Sequence, residues 1–274
     1  MSRLLTKLRA SLPDLSPVLR RVAEYVLEHP DAVIYHSVTE LAEAARSSEG
    51  SIIRFCQALA SSGSQELKLT LAVESGTPSR MEEPNGETSL LAKLAHHAAG
   101  TLAETATLFE RDVFATVAAR LASATRVDVY GVGASGVVAQ YFAYKLLRFG
   151  LTAQAYTDMH LGSMSASNLS PTAVAIGISS SGSTIDTLQA VKVAKAAGAF
   201  TVAVTNRFKS PLAKVADRSL FASPPESPLT GGDVFAKIGQ LLVLEGLVRL
   251  MAEADDEFKE GVRRTAQVVA DRSM

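Results

Sequence analysis

Two short runs of small and hydroxyl-bearing residues are where this chain could do chemistry: Gly131-Val132-Gly133-Ala134-Ser135-Gly136 and Ser179-Ser180-Ser181-Gly182-Ser183-Thr184. Each follows a β-rich run and opens a helical one. Backbone N–H groups and a helix N-terminus therefore face whatever binds there, and the helix adds roughly half a positive charge. Ser135, Ser179, Ser181 and Thr184 offer hydroxyl donors, while Gly133 and Gly182 let the backbone come close to a ligand. A hydrogen bond to a charged group contributes about 1.5–3 kcal/mol, so the pattern suits a phosphate group even without a lysine.

A rival chemistry is written in the same residues. Gly131, Gly133 and Gly136 satisfy G-x-G-x-x-G, and Asp158 follows at about the 20-residue offset expected of a ribose-binding acid in a dinucleotide site. The second hydroxyl-rich run favours the other reading, because a sugar phosphate held between two strand ends calls for two such loops.

A second constellation lies nearer the N-terminus. Ser37-Val38-Thr39-Glu40 has the spacing of a capping box, Arg46-Ser47-Ser48 interrupts the pattern, and Ile52, Phe55, Cys56 and Leu59 recur at helical spacing. Two short helices joined by a tight polar turn are what a helix-turn-helix requires. The second helix enters a groove about 12 Å wide and presents donors to base edges. Ser47, Ser48 and Ser51 are placed for phosphate contacts, and Arg54 and Gln57 for base reading, with Ser51, Arg54 and Gln57 expected on the outward face. A purely structural helical subdomain that pairs subunits is the alternative.

The elements that must position these residues can be read from periodicity. Ser16-Pro17 starts a helix that Pro30 ends, and a further helix is expected from about Gln65 to Glu74. Residues 77–88 have the composition of a linker. Helical stretches at 90–110 and 112–124 precede short β-rich runs at 127–130, 152–156, 173–179, 200–205 and 218–222, with helices near 136–149, 158–167, 184–197 and 211–216 between them. This β-α alternation predicts an α/β fold: an all-helical N-terminal domain (1–76), then a five-stranded parallel sheet with helices on both faces (89–274).

The 274 residues are 47% hydrophobic and 20% charged, with net charge −1 and 5 histidines. No run of about 18 apolar residues suggests a membrane span, and Arg3, Lys7 and Arg9 among leucines do not make an export signal. A cytoplasmic protein is expected, and the lone Cys56 fits a reducing compartment. Residues 1–77 hold eight basic and nine acidic residues, so nucleic-acid binding must rest on arrangement rather than on bulk charge. His29, His36, His96 and His97 show no metal-ligand spacing. No metal, cofactor or catalytic residue is expected.

The stretch Ser37 to Ala45, with Ser51-Ile52-Ile53-Arg54-Phe55-Cys56-Gln57-Ala58-Leu59 and Glu66-Leu67-Lys68-Leu69, resembles the N-terminal domain of the RpiR family of sugar-metabolism regulators. It departs from that pattern at Ser47, at Gly50 and over 60–64. The two serine- and glycine-rich runs, with 142–148, Asn206 and Ser210-Pro211-Leu212-Ala213, resemble a SIS (sugar isomerase) domain from about Ala124 to Met251. The resemblance implies that Ser135, Ser179, Ser181 and Thr184 bind a phosphosugar, and that Thr230-Gly231-Gly232 with Lys237 lies near it.

The expected function is a DNA-binding regulator of carbohydrate metabolism, with double-stranded operator DNA and a phosphorylated sugar effector as partners. It is expected to act as a homodimer or homotetramer. A phosphosugar isomerase or lyase with a helical appendage is the alternative. Such an enzyme needs a base, for which His160, Asp158, Glu226 and Glu245 are the candidates.

Overall fold

The computed structural model describes residues 3–59, 63–75, 89–223 and 234–270. The expected linker at 77–88, the candidate base Glu226 and the segment Thr230-Gly231-Gly232 lie outside the described residues.

The N-terminal domain is helical: α1 (Arg3–Ser11), α2 (Pro17–Glu28), α3 (Pro30–Tyr35), α4 (Val38–Ala44), α5 (Glu49–Ala58) and α6 (Ser64–Ser75). Pro30 ends α2 as expected, but it also takes the first turn of α3, where its missing N–H costs nothing. The helices converge on a core of Val22, Val26, Ile34, Leu41, Ile52, Phe55, Leu67 and Leu71, with Cys56 buried among them. Burial pushes the Cys56 thiol up to about 11.

Lys68 is an exception within this core. It is 7% exposed, donates to the His36 carbonyl at 3.1 Å, and is pulled down from 10.5 to about 8, first by burial and then by Arg207. The unfolded chain holds this proton up to about 10.5 and the fold releases it near 8, so in that window the unfolded state binds more protons and stability rises with pH. Lys68→Met should abolish that rise. Urea titrations at several pH values are expected to show wild type gaining about 2–3 kcal/mol over the variant between pH 8 and 10.5. The Cys56 thiol acts with opposite sign from 9.0 to about 11 and feels the Lys68 charge, so both chains are compared in a Cys56→Ala background. Parallel curves would refute the assignment.

The second domain begins with α7 (Leu90–Thr107) and α8 (Arg111–Ala122). It continues β1 (Val127–Tyr130), α9 (Ala134–Arg148), β2 (Ala153–Tyr156), α10 (Met159–Ala166), β3 (Val174–Ile178), α11 (Ile185–Ala196), β4 (Phe200–Thr205), α12 (Pro211–Val215) and β5 (Arg218–Phe221). It ends with α13 (Val234–Ala254) and α14 (Asp256–Ala270). The five strands pair in parallel in the order β2-β1-β3-β4-β5, with Val127 opposite both Ala153 and Val174.

Alternate strand residues serve two layers. Val127, Val129, Ile176, Val202 and Val204 meet α8, α9 and α13. Ala175 and Ala203 face α10, α11 and α12, with Ala190 and Ala194 opposing them. Small residues on both sides let that second layer sit close to the sheet.

One buried charge pins the second layer. Asp128 is fully buried and accepts from Arg126 Nε at 2.8 Å, Arg126 Nη2 at 3.2 Å, Tyr130 Oη at 3.0 Å and Ser165 Oγ at 2.5 Å. Because Ser165 belongs to α10, this carboxylate ties that helix to β1. Among the described residues no helix is long and apolar enough to cross a membrane.

Candidate functional site

In this strand order the chain leaves β1 toward β2 on one side and β3 toward β4 on the other, so a crevice opens above the C-terminal ends of β1 and β3. Both serine- and glycine-rich runs lie there. The first carries Gly133 at φ +56° as the N-cap of α9, a left-handed conformation that favours glycine. In the second, Gly182 has φ +60°, and an added Cβ would lie 2.2 Å from Ser210 Oγ. No other residue fits at 182 without moving α12.

The two runs are bridged by a residue from the far end of the chain. Lys237, in the first turn of α13, directs Nζ to Ser135 Oγ at 3.4 Å and to Ser180 Oγ. One turn on, Gln240 donates from Nε2 to Ser180 Oγ at 3.0 Å and to Asn206 Oδ1 at 2.8 Å. An ammonium and two hydroxyls, one of them in the first turn of α9, thus converge at one point, which is the donor set of an anion site.

Other expected residues hold the second loop in shape. Ser179 and Thr184 hydroxyls pair at 2.9 Å, Ser179 Oγ accepts from Gly182 N at 3.1 Å, and Ser181 Oγ accepts from Ser183 N at 3.2 Å. Ser180 and Gln240 were not singled out in the sequence. Gln240 left a signal, as a lone polar residue one turn from Lys237 in the apolar run Ile238 to Leu244.

The groups that rival chemistries need are otherwise placed. Asp158 Oδ1 accepts from His160 N at 2.8 Å and Leu161 N at 3.2 Å, capping α10 as the sequence suggested. His160 is exposed. Glu245 pairs with Lys145 at 3.0 Å, away from both serine runs in sequence and partners. Among the described residues no group of three His, Cys, Asp or Glu side chains could hold a metal ion.

The α4–α5 pair carries the second constellation. Ser37 forms the expected capping box: Glu40 N donates to Ser37 Oγ at 3.0 Å and Ser37 N to Glu40 Oε2 at 2.6 Å. Arg46 turns the chain at φ +49°, a left-handed conformation uncommon outside glycine, and Ser48 caps α5, its Oγ accepting from Ser51 N at 3.2 Å. Arg54 and Gln57 lie on the exposed face with Ser48, and Ser47 is half-buried.

Ser51 corrects the expectation of an outward side chain. It is 3% exposed, with its hydroxyl between Ser48 Oγ and Arg54 Nη2, each at 2.9 Å. Position 51 precedes Phe55 by four residues and shares its buried face. Ile53, half exposed beside Arg54, is the apolar member of the same outer face.

A helix-turn-helix module joined to a parallel α/β domain with an anion crevice defines the class: a two-domain transcription regulator. Residues 2–77 match the helix-turn-helix domain of the rpiR family, and residues 120–248 match the SIS domain. The chain belongs to the RpiR family of HTH-type transcriptional regulators. It is 36% identical to an HTH-type transcriptional regulator of Caldanaerobacter subterraneus subsp. tengcongensis, over 100% of this chain and 99% of that one. It is 30% identical to the HTH-type transcriptional regulator RpiR of Escherichia coli K12, over 91% and 86% of the two chains. Among solved structures, Vibrio vulnificus NanR complexed with ManNAc-6P superimposes with a TM-score of 0.92 at 34% identity, covering 99% of each chain.

Proposed function

We propose that this regulator controls genes of carbohydrate metabolism and that the crevice above β1 and β3 binds a phosphorylated sugar as effector. The observation that carries the reading is the convergence of Lys237 Nζ on Ser135 and Ser180, a cation and two hydroxyls beside the N-terminus of α9. The similarity to NanR, whose structure holds ManNAc-6P, supports it. In this reading Ser135, Ser181, Gly133 and Gly182 line the phosphate end, and Ser179 and Thr184 keep its second loop in shape. No catalytic base is assigned, and no cofactor is needed.

The DNA-reading unit is residues 1–76, joined through 77–88 to the sensor at 89–274. Ser47 and Ser48 meet phosphates, Arg54 and Gln57 read base edges, and Ser51 holds Arg54 for that task. Two half-sites about 34 Å apart need two reading helices, so the working form is a homodimer or a pair of dimers, in the cytoplasm.

The test is operator binding by fluorescence anisotropy with and without ManNAc-6P and a panel of hexose and pentose phosphates, alongside turnover of the same compounds. A sugar phosphate is expected to change operator affinity. Turnover without DNA affinity would instead make the protein an isomerase or lyase. In the same assay Arg54→Ala should weaken operator binding by about 1–3 kcal/mol, roughly 5- to 150-fold, and leave sugar-phosphate binding intact. An Arg54→Ala variant that binds operator like wild type would remove Arg54 from the reading face.

A further inference from the structure

The segment 206–214, between β4 and the end of α12, touches both halves of the molecule. On one side it is keyed to the second serine loop: Asn206 N donates to the Ser180 carbonyl at 3.1 Å and Leu212 N to the Gly182 carbonyl at 2.9 Å. The fully buried Ser210 occupies the space that a side chain at 182 would need. On the other side it grips the helix-turn-helix. Lys209 pairs with Glu43 of α4, Lys214 pairs with Glu49 of α5 at 2.8 Å, and Ser37 Oγ donates to the Lys209 carbonyl. Glu49 stands in the first turn of the reading helix and also accepts from Thr39 Oγ1 at 2.6 Å.

We propose that this segment is a strap through which occupancy of the serine loop reaches the reading helix, its two lysines docking Glu43 and Glu49. The inference rests on the regulator reading above and specifies how that site is coupled to DNA. Two properties suit a strap to the task. Its loop side is rigid, because backbone hydrogen bonds and the tight approach of Ser210 to Gly182 transmit any displacement of the loop. Its helix-turn-helix side is reversible, because ion pairs with exposed lysines are individually weak and salt-sensitive. An effector that shifts the loop therefore has a two-state contact to bias.

The experiment uses the full chain and compares wild type with Lys209→Ala/Lys214→Ala. Operator affinity is measured with and without ManNAc-6P and the sugar-phosphate panel, and amide hydrogen exchange is followed in both proteins. The double variant should still bind sugar phosphate and operator. The ratio of operator affinities with and without effector should fall at least three-fold toward unity, and amides at 39–49 should exchange faster. The charge swap Lys209→Glu with Glu43→Lys should restore the ratio over Lys209→Glu alone. An undiminished ratio in the double variant, or unchanged exchange at 39–49, overturns the strap while the regulator reading stands. A wild-type chain that responds to no sugar phosphate refutes the regulator reading, and the strap falls with it.

Discussion

Replacing Ser135 and Ser181 together by alanine is expected to cut affinity for the sugar-phosphate effector by about two orders of magnitude or more. Each hydroxyl lost from a charged group removes about 1.5–3 kcal/mol, so two remove about 3–6 kcal/mol, or roughly 10²- to 10⁴-fold. The folded state should tolerate the change. Ser135 sits in the first turn of α9, where alanine is the best helix former, and Ser181 Oγ accepts a single hydrogen bond within its own loop. Calorimetry with the compound that shifts operator binding gives the number, and the operator affinity of the effector-free variant should match wild type. A dissociation constant within three-fold of wild type would remove these two hydroxyls from the site.

The largest loss of stability is expected from Asp128→Ala. The substitution strips four donors of their acceptor: two on Arg126, one on the fully buried Tyr130 and one on Ser165. Removing one partner of a buried ion pair costs about 3–5 kcal/mol. The Arg126 side chain is 36% exposed and can turn toward water, which puts the expected loss near the lower end, about 3 kcal/mol. The chain has no tryptophan, so the stacked Tyr130–Tyr156 pair is the local probe, and urea unfolding can be followed by near-UV dichroism. Asp128→Asn keeps one acceptor oxygen and should lose less. Equal stability of Asp128→Ala and wild type would show that the carboxylate does not hold α10.

The five strands were legible because strands buried on both faces read as short apolar runs between turn residues, and each observed strand lies within the span read from the sequence. The two serine- and glycine-rich runs were legible for a related reason: small and hydroxyl-bearing residues clustered at two strand–helix junctions mark close backbone approach rather than an apolar core. What stayed hidden depended on partners distant in sequence. The Gln240–Ser180 contact spans 60 residues, and Lys237, 102 residues from Ser135, is placed near the ligand by the family resemblance alone, since nothing local says that α13 returns to the ends of β1 and β3. Two features were present in the periodicity but masked by residue polarity. Ser51 is hydrophilic, yet the spacing from Phe55 turns it inward, and Arg126, Asp128 and Tyr130 alternate along β1 and so share one face. Pro30 was half read, because the same missing N–H that ends one helix suits the start of the next.

Cys56 has a practical consequence for watching this molecule move. It is the only cysteine of the chain, it is buried, and with its thiol pushed up to about 11 almost none of it is thiolate at neutral pH. Maleimide reagents should therefore pass the wild-type chain by. A pair of cysteines introduced at exposed positions of α5 and α12 would alone take up donor and acceptor dyes, so the separation between the two domains could be followed by energy transfer without first deleting a native thiol.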